Sequence, residues 1–540
     1  MKNTFFIAGV IAIFGPTLVY GQDGGNLSKQ RRWQLLDYQQ DTVYGTSVNR
    51  AYRELLKGKT SHTVVVAVID EGVDITQEDL QGHIWTNKKE ISGNGVDDDH
   101  NGYVDDVHGW NFLGGKGGRN IYATNSEADR EYWRLRRGYA APDTGDAYFM
   151  KVKKEHVYDS VSRNRDLYAI MADRVRALEV NDSMLKMALP GKALTYYDVM
   201  AFEPTDSVLK ATRQSMVEFY THNSQSARQL PLDSIIRTVK VHLVTLKKTQ
   251  ELFATVKSDP WVTRKEIVGD DPSDINDRNY GNSLVGDEYA DHGTHCSGII
   301  SAIRGNGVGM DGVADNVVIM PVRAVNALHY GDEMDKDIAL AIRYAVDNGA
   351  QIISMSFGKD LSPHKAWVDE AVAYAGKKGV LLVHAAGNDH VDIDTADNFP
   401  SVDYLNGSGR AGNLITVGAM TMDTGLALVS GFSNYGRRNV DLFAPGSDIY
   451  STLPGNQYQS YSGTSMATPV VAGVAALLLE YYPGLTAAQV KDILLRSVTS
   501  LRGKMVYRPG TKVQVDFGEL CVSGGVVNAY KALELAATER

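Results

Sequence analysis

Val64-Val65-Val66-Ala67-Val68-Ile69-Asp70 is a continuous, mostly β-branched run that ends on a carboxylate. It does not alternate between apolar and polar residues, so neither face of such a strand is made for water. This is the pattern of a strand buried on both sides of a parallel sheet. Runs of the same kind recur at 317–322, 352–355, 380–384, 414–419 and 440–444. Helical patterns lie between them, such as Ile338–Asn348 closed by Gly349 and Trp367–Lys378 closed by Gly379. Glycine just past the last turn is the usual stop. Strand and helix in alternation predict an α/β fold, a doubly wound, mainly parallel sheet. Sites in such sheets form beyond the carboxyl ends of the strands, which is where Asp70 falls.

The chain has 540 residues, 43% hydrophobic and 22% charged, proportions that exclude wholesale disorder and fibrous classes. Lys and Arg number 55 against 65 Asp and Glu, a net charge of −10. That balance argues against nucleic acid as the partner. The two cysteines, Cys296 and Cys521, supply neither a disulfide framework nor a zinc-type cysteine pairing. They read either as one disulfide formed in an oxidising compartment or as two separate buried small hydrophobes.

Glycine divides the chain. Of 52 glycines only Gly138, Gly145 and Gly191 fall in residues 119–268. Here apolar residues follow helical spacings: Val157, Val161, Tyr168, Met171, Val175 and Leu178, then Ile236, Val239, Leu243, Leu246 and Phe253. Asn164 and Gln250 take the skipped positions of these heptad-like seams. Residues 113–290 hold 26 basic and 25 acidic side chains, so the remainder, with 29 against 40, carries essentially all the acidity. The expected organisation is a large, mainly helical insertion over 119–268 within an acidic α/β domain of 60–118 and 269–540. A short segment, 22–59, precedes that domain. Before it, Lys2 and the apolar run Phe5–Phe14 match the h-region of a secretory signal over 1–21, too short for a membrane crossing. An exported chain, periplasmic or secreted, with no transmembrane segment after the signal, is expected.

Four segments carry chemistry. Asp70 ends the first buried strand, and His292 lies in Asp291-His292-Gly293-Thr294-His295-Cys296. Asn388 follows a buried strand in Ala385-Ala386-Gly387-Asn388, and Ser465 lies in Gly463-Thr464-Ser465-Met466-Ala467-Thr468-Pro469. Ser465 opens a helix of small residues, with Thr464 expected as its N-cap and Pro469 in the first turn. A serine hydroxyl becomes a nucleophile when a histidine takes its proton and a carboxylate holds that histidine. His390 is the last histidine of the chain, so Ser465 can only use a partner upstream of it. His292 and His295 lack the glutamate of a zinc-binding His-Glu-x-x-His helix.

These residues, in the order Asp, His, Ser, resemble the subtilisin-like serine peptidases (subtilases). Gly463 to Gly473 carries the strongest likeness, followed by His292-Gly293-Thr294-His295 and the Asp70 strand, and the likeness extends over residues 60–112 and 285–500. It implies a serine endopeptidase acting on protein or peptide substrates through an acyl-enzyme, without an organic cofactor. Asp70, His292 and Ser465 are the implied triad, and Asn388 the implied oxyanion-hole amide. Ser356-Phe357-Gly358 resembles the extended-substrate edge and pocket wall, although the same residues also read as a plain strand-end turn. Cys296 resembles the buried residue beneath the catalytic histidine in the proteinase-K-like branch. A silent subtilase fold acting as a scaffold is the reading from another class. The chain departs from the pattern where Glu71 replaces the usual Ser or Thr, and where 222 residues separate Asp70 from His292. The segment 22–59 is also shorter than the family's usual folding pro-domain.

A second signal is Asp97-Asp98-Asp99-His100-Asn101-Gly102-Tyr103-Val104-Asp105. Asp97, Asp99, Asn101 and Asp105 place oxygens at positions one, three, five and nine of a calcium loop, with glycine at six. Position twelve is His108, so the loop is no complete EF-hand, and it also reads as an acidic turn. Asp79 stands where the resemblance implies a further ligand to a structural calcium ion, and the adjoining glycine-rich stretch 305–312 matches the family's calcium loop loosely.

Overall fold

The computed structural model of the protein describes residues 29–138, 146–163, 167–222, 231–257, 259–327 and 331–539. The expected signal segment 1–21 and Asn164 of the first helical seam lie outside the described residues.

The strands are β1 (Val64–Asp70), β2 (Trp110–Asn111), β3 (Val317–Arg323), β4 (Ile352–Met355), β5 (Leu381–Ala385), β6 (Leu414–Met420), β7 (Leu442–Pro445), β8 (Ile449–Leu453), β9 (Gln457–Tyr461), β10 (Thr499–Ser500), β11 (Met505–Tyr507), β12 (Gln514–Asp516) and β13 (Gly525–Val526). The principal helices are α1 (Glu127–Gly138), α2 (Ala147–Arg163), α3 (Leu167–Ala188), α4 (Tyr196–Ala201), α5 (Ser207–His222), α6 (Leu232–Thr255), α7 (Asp291–Ser301), α8 (Asp335–Asp347), α9 (Lys365–Lys377), α10 (Thr464–Tyr481), α11 (Ala487–Arg496) and α12 (Ala529–Thr538).

Among the described residues nine strands form one sheet in the order β10-β13-β7-β6-β5-β4-β1-β3-β2. Every pairing is parallel except β10 with β13. The order turns at β1: the chain pairs β3 on one side of it and β4 on the other. This is the switch point at which α/β sheets open a crevice, and Asp70 is its last residue.

The unbroken apolar run of β1 is explained by two cores. Val64, Val66 and Val68 face one core with Cys296, Ile299 and Ile300 of α7 and Val470 and Val474 of α10. Ala67 and Ile69 face the other, with Ile338 and Ile342 of α8 and Val368 and Val372 of α9. Helix α10 is long and apolar enough to cross a membrane by length and composition, yet 89% of it is buried inside the protein. It is a core helix.

The segment before β1 is built into the fold. Trp33, Leu35, Val43, Val48, Ala51 and Leu56 are buried in the same core as Ala532 and Leu533 of α12. Trp33 Nε1 donates to the Ser447 carbonyl at 3.1 Å, and the Ala529 N–H to the Thr46 carbonyl at 2.8 Å.

Residues 157–255 form a compact unit of their own. Leu178 and Leu185 of α3, Val199 of α4, Met216 and Tyr220 of α5 and Ile235 and Ile236 of α6 make its core. Val175 is buried as well, whereas Gln250 is exposed. The described residues of 119–156 and 256–268 belong to the sheet-bearing unit instead. There Glu127 of α1 pairs with Arg130 at 2.9 Å and with the buried Lys359 beyond β4 at 2.7 Å.

Candidate active site

Three strand ends and two helix starts meet at the carboxyl edge of the sheet. Asp70 closes β1, Ser356 follows β4 and Asn388 lies three residues beyond β5, while His292 and Ser465 each occupy the second position of their helices, α7 and α10.

His292 Nδ1 lies 2.8 and 3.0 Å from the two Asp70 carboxylate oxygens, and both residues are buried. The approach requires Gly293, since a Cβ there would stand 2.0 Å from the Gly72 carbonyl and 3.1 Å from Asp70 Cβ. With no side chain at 293, α7 seats its amino end directly on the turn after β1. Burial by itself would lower the imidazole's affinity for a proton. The Asp70 charge outweighs it and holds His292 well above its usual 6.5.

The second histidine of the motif takes no such part. His295 Nε2 is engaged by the Gln459 carbonyl at 3.0 Å and its ring stacks on Tyr461. Burial depresses it to about 3.

Ser465 stands in a helix whose start differs from the expected one. Gly463 is the N-cap and Thr464 the first helical residue. The Thr464 N–H and hydroxyl both donate to Asn388 Oδ1, at 2.9 and 3.0 Å, so the threonine orients the asparagine instead of capping the helix. These two bonds hold Asn388 Oδ1 on Thr464, the first residue of α10. Asn388 Nδ2 and the Ser465 N–H lie 3.7 and 3.6 Å from the point a Cβ of residue 463 would occupy. Glycine at 463 thus leaves a space open beside both groups.

Pro469 likewise lies inside the helix, one turn later than expected. It has no N–H for the Ser465 carbonyl four residues earlier. That carbonyl accepts instead from Ser356 Oγ at 2.9 Å and from Cys296 Sγ at 3.5 Å. Ser465 Oγ donates to the Ser356 carbonyl at 3.0 Å. Cys296 Sγ also lies 3.9 Å from His292 Nδ1, so one buried thiol touches both halves of the site. Burial pushes that thiol up, which keeps it a neutral donor. Cys296 and Cys521 are separate and unbridged.

Beyond Ser356, Phe357 is buried and its carbonyl accepts from His384 Nε2 at 2.7 Å. A Cβ on Gly358 would come within 2.9 Å of Asn398 Oδ1. Asn398 thus walls this edge, a residue no local pattern marked.

The calcium-loop residues divide. Carboxylate oxygens of Glu90, Asp97 and Asp99 lie within 4.8 Å of one another, a set of hard donors that fits a calcium ion. Asn101 Oδ1 accepts the Tyr103 N–H and Asp105 accepts from the N–H groups of Gly93, Asn94 and Gly95, just as Glu90, Asp97 and Asp99 accept main-chain N–H groups of the same turn. Glu90 lies outside the loop template and was not legible as a ligand. Asp79 is placed elsewhere, accepting from Asn306 Nδ2 at 2.6 Å and from the Met310 N–H at 3.1 Å.

The subtilase family profile matches residues 61–514. A thermophilic serine proteinase of Bacillus sp. (strain AK1) is 40% identical over 216 residues, which are 40% of this chain and 49% of that protein. Thermitase of Thermoactinomyces vulgaris is 37% identical over 243 residues, 45% of this chain and 75% of thermitase. Subtilisin Savinase of Lederbergia lenta is 36% identical over 219 residues, 41% of this chain and 74% of that protein. The chain thus spans about half the length of the first of these relatives and about three quarters of the other two. With the profile running from just before β1 to β12, through every element that bears a site residue, the chain belongs to the subtilase family of serine peptidases.

Proposed function

We propose that the protein is an exported serine endopeptidase, periplasmic or secreted, that hydrolyses peptide bonds of protein or peptide substrates. The observation that carries this reading is the Asp70–His292 pair at 2.8 Å, linked to Ser465 at a helix start through the Cys296 thiol that touches both. In it Ser465 attacks the peptide carbonyl, and His292 takes the hydroxyl proton and returns it to the leaving amine. Asp70 fixes the imidazole's tautomer and orientation. Asn388 Nδ2 and the Ser465 N–H receive the oxyanion, a contribution of roughly 10²–10³ in turnover for one such donor. Ser356, Phe357 and Gly358 guide the extended substrate backbone.

Glu90, Asp97 and Asp99 would hold a structural calcium ion, whose charge would offset most of the repulsion among the three carboxylates. No organic cofactor is needed, because hydroxyl, imidazole and amide supply every step. Export rests on the apolar run Phe5–Phe14. The helical unit within 157–255 is an insertion in the catalytic domain, narrower than the expected 119–268. It restricts substrate entry; in sequence it leaves and rejoins the chain between Asp70 and His292.

A serine-directed covalent probe tests the reading. It should label the wild-type protein and leave Ser465→Ala unlabelled. Equal labelling of both, or none of either, would favour a scaffold without catalysis.

A further inference from the structure

Helix α7 begins without a cap of its own. Its N-cap is Ala290, which has no side chain to receive the free N–H groups of the first turn. One of those groups belongs to His292. Its acceptor comes from 221 residues away: Glu71 Oε1 takes the His292 N–H at 2.6 Å. Glu71 is 1% exposed and directly follows Asp70, whose Oδ1 receives the Glu71 N–H at 2.8 Å. Two adjacent residues at the end of β1 thus grip one histidine, Asp70 by the ring and Glu71 by the main chain.

We propose that Glu71 is a positioning residue for the peptidase reaction, its buried carboxyl acting as the cap of α7 that aims the His292 imidazole. The proposal rests on the peptidase reading above. A side chain with one carbon fewer before its carboxyl, or with none, cannot make the bond from this backbone. The groups facing Glu71 are Asp70 on β1, Asp291 and His292 on α7 and Tyr461 on β9. Burial pushes its carboxyl up to about 8, against the pull of His292. At neutral pH it is therefore a neutral acid, and glutamine, whose amide oxygen can accept the same N–H, is its proper mimic.

The experiment compares Glu71→Gln, Glu71→Asp and Glu71→Ala with wild type, using a chromogenic peptide. Displacing a catalytic group by even 1 Å can cost roughly 10²-fold in rate. The alanine and aspartate variants should lose about 10- to 100-fold in kcat with KM within about two-fold, and glutamine should keep kcat within about three-fold. A wild-type kcat in the alanine or aspartate variant, or a glutamine variant as poor as alanine, would overturn the proposal.

A second measurement does not depend on activity. In a Ser465→Ala background, exchange of the His292 amide hydrogen should accelerate at least ten-fold in the aspartate and alanine variants and stay slow with glutamine. Unchanged exchange in both refutes the cap. Turnover retained by Ser465→Ala alone would instead sink the peptidase reading, a separate failure.

Discussion

Pro469 frees the carbonyl of Ser465. Within α10 the carbonyl of residue 465 is due the N–H of residue 469, and proline has none. A proline inside a helix typically costs ~3 kcal/mol; here the orphaned acceptor is taken up by Ser356 Oγ and Cys296 Sγ. The same Ser356 receives the Ser465 hydroxyl on its carbonyl. The nucleophile's peptide is thus tied to the end of β4 by two reciprocal bonds, because its own helix cannot hold it.

Restoring the missing N–H tests this tie. Pro469→Ala should draw the Ser465 carbonyl back into the helical ladder and away from Ser356. We expect kcat to fall roughly ten-fold, by the sensitivity of rate to small displacements, with the melting temperature unchanged or higher. A steady-state comparison with a melting curve on the same preparation decides it. An unaltered kcat would mean that the tie does not aim the serine.

The raised pKa of His292 sets a direction in pH. Only the neutral imidazole accepts the serine proton, so activity should rise with pH through the histidine's ionisation. Asp70 holds that ionisation well above 6.5. The acid limb of kcat/KM is therefore expected above pH 6.5. In Asp70→Asn it should move to lower pH while the rate drops steeply. A limb at or below 6.5 in the wild type would contradict the Asp70 charge as its cause.

Glu480 carries a stability prediction. It is fully buried in α10, accepts the Asn316 N–H at 3.0 Å, and burial pushes its carboxyl up to about 9. Between the ordinary 4.5 and about 9 the unfolded chain has lost a proton that the folded chain retains. Folding stability must therefore decline as pH climbs through that window. Glu480→Gln removes the decline, so it should be more stable than wild type by about 1–3 kcal/mol at pH 8. Near pH 4.5 the two should converge. Denaturant titrations at both pH values measure the difference.

Calcium should stabilise the protein through Glu90, Asp97 and Asp99. A ligand that binds only the native state contributes about 2.7 kcal/mol at a hundred times its Kd. Glu90→Gln and Asp99→Ala should each lose most of the calcium-dependent rise in melting temperature, whereas Asn101→Ala should lose less. Equal effects of calcium on all three would return the loop to an acidic turn.

Replacing residues 157–255 by a short Gly/Ser linker, which leaves the sheet-bearing unit whole, probes the role proposed for the helical segment. Cleavage of a folded protein should accelerate far more than cleavage of a small chromogenic peptide. Equal effects on both, together with a changed oligomeric mass, would favour assembly over restriction of entry.

What the sequence by itself determined is what repeats locally. The unbroken apolar run of β1, the closing glycines of α8 and α9 and the order Asp70, His292, Ser465 are legible because burial on two faces and helix termination leave signals within a few residues. Tertiary structure alone decided which distant groups meet. Glu71 reaches the His292 N–H across 221 residues, and Asn388 is turned by Thr464 across 76. Glu90 joins Asp97 and Asp99 from outside their loop, and Trp33 to Leu56 close a core with α12. None of these pairings leaves a periodic trace, since each depends on where a sheet edge sets down its loops. The pKa values of Glu71 and Glu480 follow the same rule: exclusion of water fixes them, and only the folded chain excludes it.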